Sequence, residues 1–413
     1  MNHGGPVPGE KKVQHHTVTG HMSGACNVCG ARDLRLMLSL PQYPLNSLYL
    51  QSYDSGEKYR ADFHLYDCPH CLHIQAISEL PIQHFYNEDY SYTVNNSGAQ
   101  GRQDFFVSRV LQHAAGKRFN RVIELGCFDL SLLKKLQANG VVADHWIGID
   151  PVPLRNAGEM DDILFINGYF QDVDIPYLNE DLPDLIVSDQ VFEHIPATRD
   201  VLHSFSKIAA PNSSFIVCVP SVELLIDNFS FHNIIHEHLN YFSAATLGAL
   251  FRACNYELRH SELNNELTVG LLLQIYTTGR RPGGAVTGGG SADLAAQFHR
   301  NYGIFSSTLA SVGDFLRRGV TGRIYGFGAS DITGNLAYFL QSDFSELCNI
   351  IDDTPYKQNR FIPRLKPLIV NSANIKDWST STILITAPQA NRPIIGKLLP
   401  LRPKKIISPI LVF

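Results

Sequence analysis

The chain has 413 residues, more than one ordinary core holds, so two or three domains are expected. Hydrophobic residues at 44% and charged residues at 18% describe a folded globular chain, and a formal net charge of −5 gives no reason to expect nucleic-acid binding. No apolar run is long enough to cross a bilayer and the N-terminus lacks a signal-peptide core, so the reading is cytoplasmic with no membrane partner.

Residues 1–20 are polar and without periodicity, and read as a disordered tail. Residues 21–80 read as a small metal module. Cys26-Asn-Val-Cys29-Gly and Cys68-Pro-His-Cys71 are two tight knuckles, each aiming two thiolates at one point. Two knuckles complete a tetrahedron, which is the closed geometry of structural zinc. His64, His70 and His73 lie nearby, but a four-sulfur site needs none of them. No position is left for water, so the expected zinc is structural and takes no part in catalysis.

Residues 81–278 alternate short β-rich runs with helical patterns. Arg121–Gly126 is a strand, Leu130–Gly140 a helix, His145–Asp150 a strand, Asp184–Gln190 another and Ser214–Pro220 a further one. That alternation predicts a parallel doubly wound sheet. The first strand enters the turn Glu124-Leu-Gly126-Cys-Phe-Asp129, and the next ends in Asp150-Pro151. Such a pair puts a nucleoside at the carboxyl ends of the two strands, with Asp150 accepting from both ribose hydroxyls and Gly126 letting the backbone come close. A dinucleotide and S-adenosylmethionine (SAM) compete for this site. The full GxGxxG that exposes a helix N-terminus to a pyrophosphate is absent. SAM has no phosphate, so its turn can carry side chains, and Glu124 at the turn suits it. Asp189, Gln190, Glu193 and His194 follow a fourth-strand pattern, where an active site is expected in such a sheet.

Residues 279–294 are a Gly-rich linker. Residues 295–413 read as a second, smaller α/β domain with a Rossmann-like strand–turn–helix at Gly326 and Gly328, and Asp352 on the following strand. As a dinucleotide motif it is incomplete.

This order of parts resembles the sugar C-methyltransferase family, whose members methylate a carbon of a nucleotide-linked deoxysugar. The resemblance runs from about Cys26 to Leu399. It rests on Pro44-Leu45-Asn46, on Tyr90-Ser-Tyr92 with Ser97, on the Glu124–Asp129 turn, on Gly148-Ile-Asp150-Pro151, on Ile235-His236-Glu237-His238 with Tyr241-Phe242-Ser243, and on Gly326–Ser330 and Asp352–Lys357. It implies a SAM pocket containing Tyr90, Tyr92, Ser97, Glu124, Gly126, Asp129, Asp150, Pro151, Asp189, Gln190 and His194. It also implies a small-molecule acceptor, a nucleotide sugar, and a C-terminal domain that covers the substrate. The sequence departs from the family at Leu130 and Ile235, where glycine and tyrosine are usual, and at Thr268–Leu273, where polar groups are usual.

Carbon is a poor nucleophile until a proton beside a ketone is removed, and histidine suits that task. His238 is the expected base, with Glu237 orienting it and His236 and His194 as further candidates. In an extended segment His236 and His238 face the same side. The same run with His232 also suits a polar surface loop. With isoleucine at position 235, O-methylation is open as well, and a zinc-containing NAD(P)-dependent oxidoreductase or epimerase is the reading from another class.

Overall fold

The computed structural model describes residues 24–46, 48–77, 80, 97–154, 162–170, 182–267, 270–279 and 293–410. The expected tail, the tyrosines Tyr90 and Tyr92 and nearly all of the Gly-rich linker lie outside them, and Ser97 is described by its backbone alone.

The first sheet is antiparallel. It joins β1 (Arg35–Pro44), β2 (Arg60–Asp67) and β3 (Ile74–Ala76) in that order. Helix α1 (Ser97–Ala114) then leads into the large sheet. Strand β4 (Arg118–Leu125) buries Val122, Ile123 and Leu125, side chains of both its faces, as a strand covered on both sides does. Helix α2 (Ser131–Ala138) turns Leu132, Leu133 and Leu136 inward and stops at Asn139, before Gly140 at φ 89°. There follow β5 (Val142–Asp150), β6 (Ile163–Asn167), β7 (Leu185–Asp189), α3 (Thr198–Ile208), β8 (Ser214–Pro220) and α4 (Val222–Asp227).

Strand β9 (Asn240–Tyr241) leaves this unit and pairs with β3, so the N-terminal sheet takes its fourth strand from residues far along the chain. Helix α5 (Ala244–Ala253) begins at Ser243, whose hydroxyl accepts from the Thr246 amide in a reciprocal capping box. The serine of the Tyr-Phe-Ser stretch thus has a structural task. An antiparallel pair, β10 (Tyr256–Asn264) and β11 (Leu271–Thr278), completes the large sheet in the order β10-β11-β8-β7-β4-β5-β6. Strand β10 is its largely exposed edge. The parallel strands β4 and β7 are neighbours at which the order of strand addition switches sides, which puts a binding crevice at their carboxyl ends.

The C-terminal part opens with the long helix α6 (Leu294–Arg318). It continues through β12 (Ile324–Phe327), α7 (Thr333–Phe339), β13 (Ile350–Ile351), β14 (Ile369–Val370), β15 (Thr382–Ile385), α8 (Asn391–Leu398) and β16 (Lys405–Ile407). Its five strands are all parallel, in the order β14-β13-β12-β15-β16. Reversed, that is the spatial order of the five parallel strands of the large sheet. Among the described residues no helix is long and apolar enough to cross a membrane.

Candidate active site

One cleft of about 1130 Å³ runs across the carboxyl edges of both parallel sheets. The tips of β4, β5 and β7 form one wall, the segment Pro220–Tyr241 contributes another, and the turns after β12, β13 and β15 face them. Pockets for one small ligand usually span ~300–1,000 Å³, so this one lies just above the top of that range.

At the tip of β5, Asp150 is held by two backbone donors. Its Oδ2 accepts from the Phe128 amide at 2.9 Å and its Oδ1 from the Val152 amide at 2.8 Å. Each oxygen keeps a lone pair for a further hydroxyl. Burial raises the Asp150 pKa and the two amides oppose that shift. The turn that supplies Phe128 depends on Gly126, at φ 77°, where a Cβ would stand 2.3 Å from Val191 Cγ2. Glu124, at the tip of β4, is 4% exposed and its Oε2 has no hydrogen-bond partner among the described residues. Burial, with Asp189, Asp129 and Asp150 near it, pushes its pKa well up. Asp129 is exposed and accepts from the Ser131 amide at 3.0 Å. Pro151 and Gln190 line the cleft, Gln190 at φ 57°. Asp189 is pushed up to about 7 by burial, with Arg102 opposing.

On the neighbouring wall, His194 donates from Nδ1 to the Glu237 carbonyl at 2.9 Å, which fixes its tautomer and leaves Nε2 as the lone-pair nitrogen. That nitrogen lies 3.8 Å from Oε1 of the buried Glu193. The His194 and His238 rings meet edge to face at 4.8 Å. Burial holds His194 down at about 4 and, with His194 beside it, holds His238 well below the ordinary range. Both rings are therefore neutral at neutral pH. Burial brings the Glu237 carboxyl up to about 7.

Two sequence expectations are corrected here. Residues 236 and 237 make a turn, so His236 and His238 do not share a side. His236 points into the N-terminal core, donating to the Tyr43 carbonyl at 3.1 Å and packing on Phe63, and does not line the cleft. Nor is the segment a surface loop, since His232 and His236 are each 1% exposed. Sequence reading placed Glu193 at the expected active-site strand tip but gave no site role to Asn46, whose buried amide lines the cleft without a partner among the described residues, or to Arg102 and Tyr241. Asn46 carried only a motif resemblance, and no periodicity marks any of the three as facing a ligand.

The Sγ atoms of Cys26 and Cys71 are 3.5 Å apart, as are those of Cys29 and Cys68, and all four lie within 4.8 Å of one another. A tetrahedron with ~2.3 Å metal–sulfur bonds has edges of ~3.8 Å, so the four sulfurs fit a zinc ion with small adjustment. None of them lines the cleft. Their knuckle reaches it through Asn240. The Asn240 Oδ1 accepts from Asn27 Nδ2 at 2.9 Å and from His73 Nε2 at 3.2 Å, while its Nδ2 donates to the carbonyls of Phe192 and Ile195 beside His194.

A family profile described as a methyltransferase domain matches residues 99–261, the stretch from α1 to β10. The chain carries a methyltransferase domain over that stretch. A 72-residue stretch of the chain is 40% identical to the C-methyltransferase NovU of Streptomyces niveus, 17% of each chain, so the match spans about a sixth of that relative's length. Solved structures similar to the methyltransferase domain include the N-methyltransferase NodS of Bradyrhizobium japonicum in complex with S-adenosyl-L-homocysteine (13% identity, TM-score 0.37, 48% of this chain and 96% of that one). A SAM-dependent methyltransferase of Mesorhizobium loti is another (12% identity, TM-score 0.35, 43% and 99%).

Proposed function

We propose that this protein transfers a methyl group from SAM to a carbon of a nucleotide-linked ketodeoxysugar or a related small molecule, with His238 as general base. The observation that carries the reading is the single cleft, with the Asp150 cradle on one wall and the buried His194–His238 pair on the next. SAM supplies, when bound, an electrophilic methyl on a sulfonium. The chain's own residues supply the rest. Asp150 accepts ribose hydroxyls with oxygens already fixed by two amides, so little ordering is needed on binding. Glu124 and Asp189 each keep a buried oxygen without a partner among the described residues, and burial raises both pKa values, so a cationic ligand beside them would favour their charged forms.

Neutral His238 takes the proton from the carbon beside the acceptor's carbonyl, and Glu237 and His194 border the charge that then forms. Among the described residues neither His238 nitrogen has a hydrogen-bond partner, so a lone pair is free for that step. Carbon as the methylated atom also has the name of the Streptomyces relative in its favour. Ile235 lines the cleft where the family resemblance implies a phenol, and this favours O-methylation as the second reading. Four free cysteines set as above suit a structural zinc.

Labelled-methyl transfer from SAM across a panel of nucleotide sugars, with NMR of the product, tests the substrate class and separates C- from O-methylation. His238→Ala should keep SAM affinity and lose at least ~10²-fold in turnover. Near-normal turnover would remove the base assignment. Calorimetric binding of NAD in place of SAM would instead favour an oxidoreductase.

A further inference from the structure

Glu193, His194 and His238 make a second group of metal donors, apart from the four cysteines. One donor atom from each lies within 4.8 Å of the other two, and all three residues line the cleft. His194 Nε2 stands 3.8 Å from Glu193 Oε1. That is too long for a hydrogen bond. It is close to the ~3.4 Å edge between two donors that share one ion at ~2.1 Å in a tetrahedron.

The surroundings of these donors suit an ion. Glu193 is 1% exposed and its Oε2 has no hydrogen-bond partner among the described residues, a costly way to hold a carboxyl unless a cation faces it. His194 gives its Nδ1 proton to the Glu237 carbonyl at 2.9 Å, so the lone pair is on Nε2, the nitrogen nearest Glu193. Histidines that ligate metals are oriented in this way, by an acceptor on the other ring nitrogen. The frame is fixed as well. The Leu239 amide donates to the Glu193 carbonyl at 2.7 Å, and Asn240 Nδ2 donates to the carbonyls of Phe192 and Ile195, on either side of Glu193 and His194. The two segments that carry the three donors are thereby laced together before any ion arrives.

Two imidazoles and one carboxylate select zinc or cobalt(II) over magnesium or calcium, which prefer oxygen throughout. Three protein donors leave a position open on the ion. An ion held so is exchangeable and is taken up from excess, unlike one closed in by four thiolates.

We propose that Glu193, His194 and His238 bind a second divalent transition-metal ion in the cleft, and that this ion inhibits methyl transfer by occupying the His238 lone pair. Only the inhibition rests on the proposed function, through His238 as base; the metal site does not.

The test uses the full chain with zinc already at the four cysteines and titrates it by calorimetry with further zinc, with cobalt(II) or with magnesium. One further equivalent of zinc or of cobalt(II) should bind. The cobalt should absorb in the visible as a nitrogen and oxygen complex does, without the near-ultraviolet sulfur-to-cobalt band of a thiolate site. Glu193→Gln and His238→Ala should each weaken this equivalent at least tenfold. Should Glu193→Gln fail to fold, His238→Ala removes a ring with no hydrogen bond among the described residues and carries the same expectation. Turnover should fall as the further equivalent is taken up, with SAM affinity within twofold. Absence of a further equivalent, equal binding of magnesium, a sulfur-to-cobalt band, or unchanged affinity in the folded variants would overturn the site. Metal binding with unchanged turnover would uphold the site and overturn the inhibition, and with it the base assignment. Metal binding with no methyl transfer to any acceptor before zinc is added would support the site and count only against the transfer reading.

Discussion

At His232 both imidazole nitrogens are enclosed without a hydrogen-bond partner among the described residues, and the ring stacks on Phe305. Burial holds its pKa down at about 3, against the ordinary ~6.5. A group so depressed binds fewer protons folded than unfolded, so its contribution to stability is complete above pH ~6.5 and is lost as pH falls toward 3. His232→Phe removes both the unpaired nitrogens and the titration. Urea denaturation at pH 7 should show a gain of ~1–3 kcal/mol, and acid unfolding should move to lower pH. Glu237 shifts the other way, to about 7, while the two cleft histidines stay neutral. If its carboxylate supports the imidazolium that forms at His238, turnover rises as pH passes upward through about 7. Glu237→Gln should lower the plateau and abolish that limb. Asp189 titrates in the same region, so a limb that persists in Glu237→Gln would assign it there instead.

The turn between β4 and α2 shows how much of the local chemistry the sequence discloses. A strand ending in glycine and a next strand ending in aspartate were readable from residue types, because a parallel core strand needs an unbroken apolar run and a ligand-facing tip does not. Leu130, which stands where the resembled family has glycine, could not be weighed that way. It adopts φ 62°, at a cost of ~1–2 kcal/mol for a residue with a Cβ. Yet its side chain is 2% exposed and packs toward Gly148, where an added Cβ would lie 2.5 Å from Leu130 Cδ2. Deleting a buried leucine costs ~2–5 kcal/mol, which exceeds the relief of strain. Leu130→Gly should therefore destabilise the protein by ~1–3 kcal/mol in thermal or urea unfolding, although it restores the family residue. The turn at His236 and Glu237 was not legible, because nothing in Ile-His-Glu-His distinguishes an extended run from a turn. Its geometry is set by contacts with Tyr43, distant in sequence.

Across the whole molecule, sequence reading separated the cysteine module from the methyltransferase domain, whereas the chain stitches them together through β9. That pairing joins residues 74–75 to 240–241, a separation no local pattern reports. Through Asn240 it connects the cysteine knuckle to the carbonyls flanking His194. Cys71→Ser should abolish stoichiometric zinc by elemental analysis and lower the melting temperature. Because the Asp150 cradle is built on other strands, it should also reduce turnover far more than SAM affinity. Equal losses of both would mean that the module serves folding alone. The far edge of the large sheet bears on how copies of the chain meet. Strand β10 pairs with β11 on one side, and its other side offers a line of amides and carbonyls that a neighbouring copy could extend. Along it stand Glu257, Arg259, His260 and Glu262, tied to one another or to Arg109. Any second chain adding a strand there must strip water from those polar side chains, which guards this edge against fibre-like stacking.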